Sequence, residues 1–130
     1  MFTIEQIKAA HSKVKSGADF PNYIQEIKKL GVLSYETFVK NGHSSFMDLS
    51  GHAIQSNVKY APLAIADKSD KIQFQKNLKE HQQGKTDYST FCRISARLGV
   101  EKWVVDIEKM TCTYYNKVGK EILTETIPTH

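Results

Sequence analysis

Residues 30–42 read Leu30-Gly31-Val32-Leu33-Ser34-Tyr35-Glu36-Thr37-Phe38-Val39-Lys40-Asn41-Gly42, and the hydrophobic period changes within this stretch. A glycine directly after an amphipathic run stops a helix, because it takes the left-handed conformation at little cost. Beyond it, Leu33, Tyr35, Thr37 and Val39 fall on one side and Ser34 and Glu36 on the other. That period of two is the pattern of a half-buried strand. Asn41-Gly42 then signals a hairpin, since both residues tolerate positive φ.

Upstream, Phe20, Tyr23, Ile27 and Leu30 share one helical face after Asp19. Before them, Thr3-Ile4-Glu5-Gln6 fits a capping box, Ile4, Ile7 and Val14 follow on one face, and Gly17 is the expected stop. Downstream, residues 44–49 and 53–58 read as strands joined at Ser50-Gly51, and residues 59–66, with Pro62, as a crossing segment. A helix is expected after Asp67 or Ser69, running to about Gln83 with Gly84 as its stop. Another runs from Thr86 or Asp87 to Gly99. Trp103, Val105 and Ile107 alternate in a strand, residues 110–115 and 120–127 follow as two more, and Pro128 closes the pattern.

Both halves thus read helix, helix, strand, strand, strand. A gap-free shift of 68 residues carries Leu30-Gly31-Val32 onto Leu98-Gly99-Val100, Tyr35 onto Trp103, Phe46 onto Tyr114, Gly51 onto Gly119 and Ile54 onto Ile122. Asp19 falls on Asp87, and Phe20 and Tyr23 fall on Tyr88 and Phe91. The matches gather at caps, turns and core aromatics, where a shared fold places them. The expectation is an α+β chain: one domain over residues 1–130, built of pseudo-repeat halves at about 1–60 and 69–128, with antiparallel sheet. Whether the halves form one sheet or two packed layers stays open. The groove between them is the natural ligand site.

The chain has 130 residues, of which 40% are hydrophobic and 25% charged, ordinary globular values. Its formal charge is +4, but only Arg93 and Arg97 among the 18 basic residues are arginine. Forked recognition of phosphate or guanine favours arginine over lysine, so nucleic acid is not the expected partner. Cys92 and Cys112 show no paired-cysteine framework, no leader is read at the N-terminus, and no apolar run reaches about 18 residues. A cytoplasmic protein with reduced thiols and no membrane association is expected.

Gly84-Lys85-Thr86 resembles the end of a phosphate-binding loop. Position 79 is Lys rather than Gly, and a helix precedes, so a helix stop and cap is the simpler reading. His43 and His52 flank a hairpin that carries Asp48 and could converge on an ion, although strand ends commonly carry solvated His and Asp. His81 lies near the apolar face of its helix, as a core-margin histidine or as a group reaching toward Tyr88 or Cys92. Cys92, with His81 and Asp87, admits a nucleophile reading, against the usual role of a free cysteine as a small buried hydrophobe. Tyr114 and Tyr115 are adjacent on a strand, so one is expected in the core and the other outside.

Several stretches carry a family resemblance. They are Met1-Phe2-Thr3-Ile4-Glu5-Gln6-Ile7, Asn41-Gly42-His43-Ser44, His81-Gln82-Gln83-Gly84-Lys85-Thr86-Asp87-Tyr88, Gly99-Val100-Glu101-Lys102-Trp103 and Met110-Thr111-Cys112-Thr113-Tyr114-Tyr115. Together they resemble a bacterial domain-of-unknown-function family whose members are often labelled "phage envelope protein". The resemblance implies a small cytosolic bacterial protein with an occasional prophage association. It implies no activity and no site residues.

Three functional expectations follow. The first is a non-catalytic module holding a small molecule or peptide between the halves, with His81, Tyr88, Trp103 and Tyr35 as ligand-binding residues and no cofactor or metal. The second is a homodimeric interaction protein of prophage or stress context, paired along residues 120–127 and anchored by Tyr114 or Tyr115. The third is an enzyme using His81 with Asp87 or Cys92, or His43 with Asp48 and His52.

Overall fold

Thr3 caps the first helix, α1 (Ile4–His11), through a reciprocal pair: its hydroxyl accepts the Gln6 N–H at 3.2 Å, and the Gln6 side chain accepts the Thr3 N–H at 2.8 Å. The structure, a computed structural model, describes residues 2–15 and 17–127; Pro128 and His130 lie outside them. Helix α1 ends at His11, short of Gly17, because the Ser12 hydroxyl donates to the Ala9 carbonyl at 2.6 Å and competes with the next helical bonds. A 3-10 turn (Gly17–Asp19) leads into α2 (Phe20–Leu30), whose first turn holds Pro21, where a missing N–H costs nothing.

The remaining elements are β1 (Val32–Phe38), β2 (Ser44–Asp48), β3 (Ala53–Gln55), α3 (Lys71–Gln82), α4 (Tyr88–Arg97), β4 (Lys102–Asp106), β5 (Thr111–Tyr115) and β6 (Glu121–Thr126). All six strands join one antiparallel sheet in the order β3-β2-β1-β4-β5-β6. The chain is therefore α+β, its helix-helix-strand pattern occurs twice, and the question of one sheet or two is answered by the β1–β4 pairing.

The repetition extends to register. Tyr35 faces Phe46 in the first hairpin and Trp103 faces Tyr114 in the second, 68 residues on. At the centre, Glu36 faces Val104, its own counterpart under that shift. The turn after β2 hangs on Asp48 Oδ1, which accepts from the N–H of Ser50 at 2.9 Å and of His52 at 3.0 Å. Asn116 Oδ1 takes the same bonds after β5, from Val118 at 3.1 Å and Lys120 at 2.9 Å. Met110, at φ 54°, is the one non-glycine with positive φ among the described residues, and it stands where the first half has Gly42 at φ 74°.

Four further features differ from the sequence reading, each for a physical reason. A bulge in β1 falls at Leu33, so Val32 rather than Leu33 joins Tyr35, Thr37 and Val39 among the buried side chains. Strand β2 stops at Asp48 because that carboxylate opens the turn, leaving Leu49 81% exposed. Strand β3 stops at Gln55 because the chain then turns to the β1–β2 connection, Lys59 donating its N–H to Asn41 O at 2.8 Å and Leu63 to Lys40 O at 2.7 Å. Helix α3 is capped by Asp70, not Asp67 or Ser69; Asp70 accepts from the Gln73 N–H at 3.1 Å, while Asp67 pairs with Lys117 at 3.0 Å.

Helices bury Tyr23, Ile24 and Ile27 from α2, Phe74 and Leu78 from α3, and Phe91, Cys92 and Ala96 from α4. The sheet answers with Tyr35, Phe46, Trp103, Val105, Cys112 and Tyr114. Along β1, β4 and β5 the alternate residues are half-buried, and there Lys102 lies over the rings of Phe38 at 5.8 Å and Tyr115 at 5.7 Å. Tyr114 is thus a core residue and Tyr115 an outer one, which removes Tyr114 as a surface anchor.

Candidate functional site

Two rows of side chains cross the buried face of the sheet. Pairing from β2 to β5 sets Phe46, Tyr35, Val105 and Cys112 side by side, and next to them Ser44, Thr37, Trp103 and Tyr114. All eight are buried. Above them lies a cavity of about 650 Å³, lined from all four helices and the sheet. That volume is within the usual range of small-molecule pockets.

Its walls are mostly rings. Tyr35 tilts against Phe46 at 5.0 Å and Trp103 against Tyr114 at 6.0 Å. Tyr23 from α2 meets the edge of Tyr35 at 6.5 Å, and Phe91 from α4 meets Trp103 at 5.9 Å. His11 from α1 joins the two sides, edge-on to Tyr23 at 5.3 Å and to Tyr88 at 6.2 Å; Tyr88 in turn stands edge-on to Trp103 at 6.4 Å. These are the offset and edge geometries that aromatic quadrupoles favour.

Polar atoms interrupt the rings sparingly. Ser95 Oγ is the one fully buried side-chain oxygen without a partner among the described residues. The Tyr23 and Tyr35 hydroxyls make no hydrogen bond among those residues either, so they open onto the cavity instead. Burial raises the ionisation of both well above the ordinary tyrosine value, and Tyr23, Cys112 and Tyr88 raise that of Tyr35 further. The phenols therefore stay protonated and available as donors. The His11 imidazole is pushed down, first by burial and then by the nearby Lys59 ammonium.

Residues 8–126 match the family model described as protein of unknown function (DUF1398). The chain belongs to that family. No curated protein matches it. The matched span holds every cavity-lining residue except Ile4, Ile7 and Ile127.

In this family member, Tyr35, His81, Tyr88 and Trp103, the four residues singled out from sequence, all line the one cavity. His81 is held at its edge: Nδ1–H donates to the Thr86 carbonyl at 3.0 Å, and the ring stacks on Phe91 at 4.3 Å. Burial lowers its proton affinity, opposed by the Thr86 bond and by Asp87. Asp87 spends its carboxylate on the cap of α4, accepting from the Thr90 N–H at 2.7 Å. The Thr90 hydroxyl first, and then that N–H, hold the carboxyl below its ordinary value.

Most members of the catalytic groupings are bonded elsewhere, although Asp87 lies close enough to His81 to raise its proton affinity. Cys92 is buried and its thiol is raised by burial, while His81 bonds Thr86 rather than Cys92. Cys112 borders the cavity, but burial pushes its thiol up to about 12, so no thiolate forms at neutral pH. His43 donates to the Ser56 carbonyl at 2.8 Å and stacks on Phe38 at 5.9 Å, away from His52, which lies exposed 3.8 Å from Asp48. Among the described residues no three His, Cys, Asp or Glu side chains are placed to hold a metal ion. Gly84, at φ 79°, ends the α3 turn, and Thr86 serves His81. No described helix is long and apolar enough to cross a membrane.

Cavity residues that the sequence did not disclose are His11, Thr37, Ser44 and Lys59. For three of them a signal existed. Thr37, Ser44 and Lys59 stand where the second half has Val105, Cys112 and Ile127, so polarity is exchanged at matched positions.

Proposed function

We propose that this protein is a cytoplasmic, non-catalytic binding module that encloses a small molecule between its two halves. The reading rests chiefly on the cavity of about 650 Å³ with the unpartnered Tyr23 and Tyr35 hydroxyls opening onto it. A phenol that opens onto a cavity without a protein partner offers a ligand acceptor a ready donor. Trp103, Tyr88, Tyr35 and His81 form the recognition surface, with the rings supplying apolar area and the hydroxyls orientation. The volume suits a compact molecule better than a peptide strand. Protonated thiols and a histidine committed to Thr86 favour binding over catalysis. Unpaired, buried Cys92 and Cys112 fit a reducing compartment.

Trp103 is the single tryptophan, so its fluorescence reports on the cavity directly. Thermal melting against a panel of metabolites should give a saturable rise for the right class, worth about 2.7 kcal/mol at a hundredfold excess over Kd. A matching change in Trp103 emission is expected. If compounds that raise the midpoint leave Trp103 emission untouched, the ligand binds elsewhere and the cavity reading is wrong.

A further inference from the structure

The two rows on the sheet floor are one row read in opposite directions. Under the shift of 68 residues, Tyr114 and Trp103 replace Phe46 and Tyr35, and aromatic stays aromatic. At the other two positions shape is kept and polarity is exchanged: Thr37 corresponds to Val105, and Ser44 to Cys112. Thr and Val share a branched outline, as Ser and Cys share an unbranched one, yet only one member of each pair carries a hydroxyl. The same contrast recurs at the cavity rim, where Lys59 corresponds to Ile127.

Packing alone does not ask for this difference. Thr37 Oγ1 and Ser44 Oγ lie 2.7 Å apart, and the Ser44 N–H donates to Ser56 Oγ at 2.8 Å. One hydroxyl proton serves the Thr37–Ser44 contact, so the other remains uncommitted beside the cavity. Lys59 lines the same cavity and joins no ion pair among the described residues; Lys8 and Lys15 at its rim are likewise without one. At the opposite end, Glu125 pairs with Cys112 across β5 and β6, and its carboxylate accepts from Gln82 at 2.9 Å. One end thus offers donors and a cation, the other a thiol, an isoleucine and an acid that would repel a second negative charge.

Resting on the cavity-binding reading, we infer that the occupant is a hydrophobic carboxylate bound in one orientation. Its carboxylate lies at the Thr37–Ser44 corner facing Lys59, and its apolar body lies against Tyr35 and Trp103 toward Cys112.

Three probes share one body and differ in the head: 4-phenylbutyrate, 4-phenylbutan-1-ol and 4-phenylbutylamine. Titrated into the intact protein at neutral pH with Trp103 emission as readout, the carboxylate should bind about tenfold more tightly than the alcohol, and the amine more weakly still. The double variant Thr37→Val with Ser44→Cys gives the polar corner the side chains already present at its counterpart, so folding should persist, checked by melting. It should cut the preference for the acid several-fold, weakening the acid more than the alcohol. Lys59→Gln, an exposed change, should weaken the acid alone. Equal affinity of acid and alcohol, or a preference for the amine, would overturn the carboxylate assignment while the cavity reading stands. If none of the three alters Trp103 emission, the hydrophobic-carboxylate assignment falls, and the metabolite panel decides the cavity reading separately.

Discussion

Ser95 shows what a single atom can reveal. It is fully buried in α4, its hydroxyl has no partner among the described residues, and it occupies the place that Ile27 fills in the first half. Replacing it by alanine removes an unsatisfied polar atom at little cost in contacts, so Ser95→Ala should stabilise the fold by up to about 1 kcal/mol in urea unfolding. A loss of that size would mean that the hydroxyl has a partner after all. The two cavity histidines make an opposite prediction about pH. Both bind protons less readily than the ordinary histidine value of 6.5: His11 through burial and Lys59, and His81 through burial that outweighs Thr86 and Asp87. The unfolded chain therefore takes up protons first as pH falls, and the stability these groups contribute is complete above 6.5 and lost below it. The urea midpoint should decline between neutral pH and about pH 5, and less steeply in His11→Gln. Single-residue chemistry of this kind was only partly legible. Tyr35, Tyr88 and Trp103 stood out as aromatics on matched caps and strands, whereas Thr37, Ser44 and Lys59 look ordinary until each is compared with its counterpart.

Elements were legible where the signal is local and obscure where a distant segment decides. The Thr3 capping box, the Asp87 cap and the Gly31 stop are written within a few residues of where they act, and all three act there. The length of β3 and the start of α3 depend on where the crossing segment goes, which no periodicity records. That segment makes Gly99 a test case. A Cβ at Gly99 would lie 2.5 Å from the Lys68 carbonyl oxygen and 2.7 Å from Ser69 Cα, at φ 83°. Gly51 has the same φ of 83° and open space around it. Gly51→Ala should therefore cost about 1 kcal/mol for the left-handed conformation alone. Gly99→Ala adds a backbone collision and should cost clearly more, about 3 kcal/mol, as residues 68–69 are forced away from the end of α4. Equal losses in chemical denaturation would show that residues 68–69 do not pack there.

At the scale of the whole molecule, the recurring helix-helix-strand pattern and the cavity are two aspects of one geometry. A helix pair over three strands buries little alone, and each half presents its own aromatic pair, Tyr35 with Phe46 or Trp103 with Tyr114, to the other half's small residues. Halves that were chemically identical would enclose a symmetric cavity; the exchanges at Thr37, Ser44 and Lys59 give it two different ends. The β1–β4 register also says what each half would do if released. Because Glu36 faces Val104, its own counterpart, a second-half fragment pairing with its own copy in this register sets Val104 against Val104, while a first-half fragment sets Glu36 against Glu36. Like charges directly opposite on neighbouring strands are destabilising, and branched apolar pairs are not. A fragment of residues 67–127 is thus expected to sediment as a dimer. One of residues 2–66 should remain largely unfolded, and Glu36→Val should restore its pairing. If the two fragments behave alike, or if Glu36→Val leaves the first unchanged, the central register is not what joins the halves. Their cohesion would then have to come from the helices and the rings around the cavity.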